Sequence, residues 1–108
     1  MLFGMKVGSL SIDGKALKAA CERWGIAELA AFGSVIRDDF RPESDVDLLV
    51  TFRDPRRWRF RDLLAMEAEL TEIFGHRVEL VEIDAVAENP NPITRRRIFG
   101  SAVTLHVA

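Results

Sequence analysis

The chain has 108 residues, a length for one domain, and its 48% hydrophobic content supplies one core with little left for a second. A formal net charge of −2 excludes any overall pull toward nucleic acid or an acidic membrane surface. Cys21 is the sole cysteine, no apolar run reaches the length of a bilayer span, and MLFGMKVGSL lacks the charged start and small-residue cleavage site of a signal peptide, so a soluble cytoplasmic protein without disulfides is expected.

In chain order, Phe3 to Leu10 reads as a short edge strand or an ordered arm. Asp13 is placed to cap a helix in which Ala16, Leu17, Ala20, Cys21 and Trp24 form one apolar stripe, and Gly25 stops it. Ile26 to Phe32 is a strand closed by the Gly33-Ser34 turn. Val35 to Ser44 is polar, a short helical turn and then a loop, with Pro42 near its end. Val46 to Phe52 is a strand apolar enough to be covered on both faces. After an arginine-rich loop around Pro55, the spacing of Leu63, Leu64, Met66, Leu70, Ile73 and Phe74 predicts a helix from Phe60 to Phe74, stopped by Gly75. Arg77 to Ile83 is a third strand, Asn89-Pro90-Asn91-Pro92 a turn, Ile93 to Phe99 a short basic helix, and Ala102 to Val107 a last extended piece. No repeat or linker interrupts residues 1–108, read as a single domain. The order predicts an α+β sandwich: one small mixed sheet with helices packed mainly on one face.

Asp45 and Asp47 stand two residues apart where a buried strand begins, so their side chains point to the same face, roughly 7 Å apart along the backbone. That spacing is wide for a shared proton and suits carboxylates that bracket a hard divalent cation such as Mg²⁺, whose other sites are filled by water and phosphate. Gly33-Ser34, at the end of the preceding strand, lets backbone N–H groups approach a phosphate and adds a hydroxyl donor. Each feature alone also fits ordinary turn chemistry or a solvated edge charge. Their combination is the informative signal.

Gly33-Ser34, ten intervening residues and Asp45-Val46-Asp47 resemble the signature of the nucleotidyltransferase superfamily related to DNA polymerase beta. The flanks Phe32, Arg37, Arg41-Pro42, Ser44 and Leu48-Leu49-Val50 fit as well, and the closest likeness is to the minimal nucleotidyltransferases, which consist of the catalytic core alone. The order of the Trp24-Gly25 helix, the Phe60–Phe74 helix and the GHRVELV strand extends the resemblance over most of the chain. It implies one or two Mg²⁺ ions held by Asp45, Asp47 and a third carboxylate on the later strand, a nucleoside triphosphate (ATP foremost) with its phosphates at Gly33, Ser34 and Arg37, and transfer of a nucleoside monophosphate to a hydroxyl. Such proteins are typically encoded beside a HEPN-domain partner, and some act as antitoxins that adenylylate a partner tyrosine. One departure stands out. Where relatives carry Asp on the later strand this chain has Glu79, which keeps the charge but carries it one methylene further, and Glu82 has the wrong strand parity to replace it.

Two readings follow: an active nucleotidyltransferase, or an antitoxin with a weakened site that neutralises its partner by binding. A nucleic-acid-binding domain using the cluster Arg53, Arg56, Arg57, Arg59 and Arg61 is disfavoured by the net acidity and the scarcity of interleaved aromatics. Trp58, inside that cluster, reads as an exposed anchor for a partner, either a HEPN-type protein or a second copy of the chain. Trp24 reads as core, and His76 and His106 have no partners at ligand spacing.

Overall fold

The computed structural model describes residues 4–107. Strands β1 (Gly4–Val7) and β2 (Leu10–Asp13) form an antiparallel hairpin. Its two-residue turn puts Gly8 at φ +59° while Ser9 keeps negative φ, the pattern of a type II′ turn. The single edge strand expected for this stretch is therefore two strands in a sheet of their own; Phe3 lies outside the described residues. Helix α1 (Gly14–Arg23) starts where predicted, the Asp13 carboxylate accepting from the N–H groups of Lys15 (3.0 Å) and Ala16 (3.2 Å). It buries Leu17, Ala20 and Cys21. Burial above all, with the charges of Glu22 and Glu69 behind it, pushes the Cys21 thiol up to about 12, so it packs as an unreactive hydrophobe.

Three predicted elements are found with the expected limits: β3 (Ile26–Phe32), β4 (Val46–Phe52) and α2 (Phe60–Phe74). Asp62 caps α2 from within, accepting the Arg59 N–H at 2.8 Å, and Gly75 ends it at φ +73°. The third strand is shorter than expected. β5 covers Val78–Glu82, and Ile83, expected as the end of the strand, instead opens a short helix, α3 (Ile83–Ala87), that was not predicted. Helix α4 (Pro92–Ser101) follows, with Asn91 as its cap and Pro92 in the first turn, and β6 (Val103–Val107) closes the fold.

The main sheet runs β5-β4-β3-β6, with β4 and β5 parallel and the other pairs antiparallel. Its parallel pair requires a crossover, which α2 supplies. On one face Leu17, Cys21, Met66, Leu70 and Phe74 from α1 and α2 pack over Leu29, Ala31, Leu48 and Val50. On the other, a smaller cluster of Ala30, Leu49 and Val86 is flanked by Phe32, Val81 and Ile98, so α3 and α4 cover only part of it. The mixed sheet with helices is as expected, but the helices divide between its faces, the main cluster under α1 and α2 and the smaller one under α3 and α4. α2 also closes the β5 edge: Thr71 Oγ1 accepts the Val78 N–H at 3.0 Å and a Glu67 carboxylate oxygen the Leu80 N–H at 2.8 Å. Among the described residues no helix is long and apolar enough to cross a membrane.

Trp58 corrects an expectation. Its ring is half-buried, meets Trp24 edge-on with centroids 5.3 Å apart, packs against the main core and carries the Arg57 guanidinium 4.7 Å above it. Trp24 in turn donates its Nε1–H to Glu69 of α2 at 3.4 Å, and Glu69 also pairs with Arg23. The arginine-rich loop is thereby fastened to α1 and α2, and Trp58 serves the fold. Replacing it by Ala is expected to cost about 2 kcal/mol, roughly half the cost of truncating a fully buried Trp, read as a lower urea midpoint at unchanged slope.

Candidate functional site

Strand register assembles the site. In the parallel β4–β5 pair Asp47 stands opposite Glu79, and in the antiparallel β3–β4 pair it stands opposite Phe32. Glu79, Asp47 and Phe32 thus form one row across three strands on the face that α3 and α4 leave partly open. Asp45 precedes β4, and the bond from the Val46 N–H to the Arg77 carbonyl at 2.8 Å continues the ladder beneath it. The Ser44 carbonyl accepts from the His76 Nδ1–H at 3.1 Å, and the His76 ring packs on Phe40 with centroids 4.8 Å apart. His76 therefore holds the end of the loop that delivers Asp45. It was not assigned a role from sequence, where nothing in its spacing signals a contact 32 residues away.

Gly33 follows Phe32 directly and opens a 3-10 turn, Gly33–Ile36. Its φ is +76°, and a methyl group on its Cα would lie 2.6 Å from Asp47 Oδ2. Glycine is required here twice over, for the left-handed backbone and for the approach of the turn to the carboxylate. Ser34 sits half-buried in the turn, which is closed by the bond from the Arg37 N–H to the Ser34 carbonyl at 3.0 Å. The Arg37 side chain is exposed and donates from Nε to Asp39 Oδ1 at 3.1 Å, an interaction that holds the Asp39 carboxyl below its usual range. Such an exposed pair is weak, so the guanidinium is free to exchange Asp39 for a bound anion at little cost.

The electrostatics of the row are those of crowded like charges. Burial first, then the charges of Glu79 and Asp45, push the Asp47 carboxyl above its usual range, while Arg37 draws it back. Register sets Glu79 beside Asp47, the Gly33 turn approaches the Asp47 carboxylate, and the charges of Asp45 and Arg37 reach it as well. Among the described residues no three His, Cys, Asp or Glu side chains already stand at metal-holding distance. Asp47, raised first by burial and then by the charges of Glu79 and Asp45, has the chemistry of a carboxylate that a hard divalent cation would relieve.

Residues 14–103 match the nucleotidyltransferase domain family, and the chain belongs to it. It is 41% identical over 61 residues to Protein adenylyltransferase MntA of Thermococcus cleftensis, a match covering 56% of this chain and 59% of that protein's length. A relative from Methanocaldococcus jannaschii, provisionally named a protein adenylyltransferase, is 29% identical over 79 residues, or 73% of this chain and 78% of its own. Among solved structures, one provisionally described as a minimal nucleotidyltransferase superposes with a TM-score of 0.62 at 29% identity, covering 83% of this chain and 86% of that one. A toxin-antitoxin structure with AMP-PNP superposes with a TM-score of 0.67 over 90% of this chain and 75% of that one; at 13% identity it bears on the fold alone.

Proposed function

We propose that the chain transfers a nucleoside monophosphate, AMP from ATP, to a hydroxyl on a partner protein, a tyrosine of a HEPN-domain toxin, and so acts as an antitoxin. The observation that carries this reading is the packing of the Gly33-Ser34 turn against Asp47, in register with Glu79 and two residues from Asp45. The adenylyltransferase names of the relatives favour AMP as the transferred group. Asp45, Asp47 and Glu79 would hold Mg²⁺, which when bound neutralises the triphosphate and favours ionisation of the attacking hydroxyl. Ser34 and the N–H groups of its turn receive the outer phosphates, with Arg37 moving from Asp39 to join them. The acceptor oxygen forms a bond to the α-phosphorus as the bond to pyrophosphate breaks, and the hydroxyl proton leaves to the carboxylate row or to water. Orientation and charge placement supply the rate.

The deciding experiment incubates the protein with Mg²⁺, α-labelled ATP and the product of the neighbouring gene, and follows label on that protein. Label that depends on Mg²⁺ and on Asp47 supports the reading; tight complex formation without label favours neutralisation by binding, the alternative to which Glu79 lends weight. Glu79→Asp is expected to raise the transfer rate with ATP affinity within about twofold of the parent, because its effect belongs to the transition state. A slower enzyme would mean that this row is fitted to the longer side chain.

A further inference from the structure

The β1–β2 hairpin has no counterpart in the chemistry above, yet its tip meets one arm of the site and faces the other across a cleft. Gly8, at the turn, meets the second half of the 3-10 turn that begins at Gly33: a methyl on its Cα would lie 1.9 Å from the Val35 carbonyl oxygen and 3.5 Å from the Ile36 Cα. Val35 itself is fully buried. Beside Gly8, Ser9 and Leu10 line a cleft of about 230 Å³ whose other walls are Phe40, Arg41, Pro42 and His76, the loop that leads to Asp45 and the ring that pins it. The hairpin is anchored in turn by Val7 and Ile12, both buried in the main core. One two-residue turn thus bears on the Val35-Ile36 half of the 3-10 turn with its first residue and faces the Asp45 loop with its second and the residue after it.

We propose that the hairpin tip, Gly8-Ser9-Leu10, is a positioning element that fixes the Gly33–Ile36 turn relative to the loop carrying Asp45, and so sets the gap between the phosphate-binding and carboxylate halves of the site. The inference rests on the nucleotidyltransferase reading for its consequence, though not for its geometry. Neither arm has a long element of its own to hold it. One is a single 3-10 turn and the other a loop from Arg37 to Asp45, so beyond the register that sets Phe32 opposite Asp47 the hairpin tip adds a support from outside the sheet.

Glycine substitutions separate this role from general strain. Gly8, Gly25 and Gly75 all have left-handed backbones, at φ +59°, +62° and +73°, but a methyl at Gly25 or Gly75 meets nothing within 4 Å. Gly8→Ala, Gly25→Ala and Gly75→Ala therefore share the backbone penalty, and only the first pushes on the site. At a temperature where all three are folded, Gly8→Ala is expected to weaken binding of a fluorescent ATP analogue with Mg²⁺ roughly tenfold, and the other two less than about twofold, since small displacements of a binding group are costly. Without nucleotide, the Arg37 amide, bonded to the Ser34 carbonyl, should exchange its hydrogen faster in Gly8→Ala alone. If Gly8→Ala does not fold, Leu10→Ala, which adds no backbone strain, should speed exchange in the loop from Arg37 to Asp45. Equal nucleotide affinity in all three glycine variants together with unchanged exchange overturns the proposal, as does unchanged loop exchange in Leu10→Ala. If the parent protein binds no nucleotide the proposed function fails, and the exchange measurements still decide whether the hairpin holds the turn.

Discussion

Asp47→Asn is expected to abolish nucleotidyl transfer and, in the absence of metal, to make the protein more stable. The Asp47 carboxyl is held above its usual range by burial first and then by Glu79 and Asp45. A raised folded-state value means that the native chain keeps this proton to higher pH than the unfolded chain does. Stability contributed at this site is therefore full in acid and is lost as pH rises through the ordinary carboxylate range to the raised value, leaving a net penalty at neutral pH. Asparagine is nearly isosteric and carries no charge, so it removes the penalty without opening a cavity. Thermal melts in EDTA should rise by a few degrees at pH 7, and the gain should vanish in acid where the parent is already protonated. The same change removes the carboxylate at the centre of the row, and transfer should fall by at least about a hundredfold, as for loss of one transition-state electrostatic group. A variant that is both no more stable at neutral pH and fully active would remove Asp47 from the proposed site.

The same expected opposition between stability and activity is the reason a candidate site could be proposed from the sequence. Two aspartates at the start of an apolar strand contradict what the fold wants there, and a local contradiction of that kind marks function. The elements around it were legible for the opposite reason. In β3, β4 and α2 the apolar period, the stop signals and the length all agree, and their limits were predicted as found. Agreement fails where an element is too short to show a period. Ile83–Ala87 has five residues, barely more than one helical turn, too few to show a helical period of its own. The hairpin was missed although Gly8-Ser9 is a recognised two-residue turn signal, because each flanking strand has only four residues. Trp58 was misread for another reason. Five arginines around it argue for water, but its partner Trp24 lies 34 residues earlier, and no periodicity connects a loop to the end of a distant helix. Sequence neighbours describe a loop's charge, whereas tertiary contacts decide which of its side chains turn inward.

Gly33→Ala is expected to leave a folded protein that transfers nucleotide about a hundredfold more slowly. Two effects act together and have different costs. Alanine at φ +76° is destabilising by about 1–2 kcal/mol, which a domain of ordinary stability survives. Its methyl group meets Asp47 Oδ2 at 2.6 Å, and that oxygen is the free end of a side chain, so the clash is relieved by rotating the carboxylate away rather than by moving backbone. Relief is cheap for folding and costly for chemistry, because a displacement on the order of 1 Å of a group that must meet the reacting phosphate removes roughly two powers of ten in rate. Gly25→Ala is the matched control: φ is +62°, nothing lies within 4 Å, and it stands at the opposite end of β3 from Gly33. Both variants should lose similar stability in urea, while only Gly33→Ala loses transfer and weakens Mg-ATP binding. If the two variants are equally active, the contact between Gly33 and Asp47 has no part in catalysis. If Gly33→Ala loses stability far beyond its control, the turn is held by backbone contacts and the carboxylate is not the part that yields.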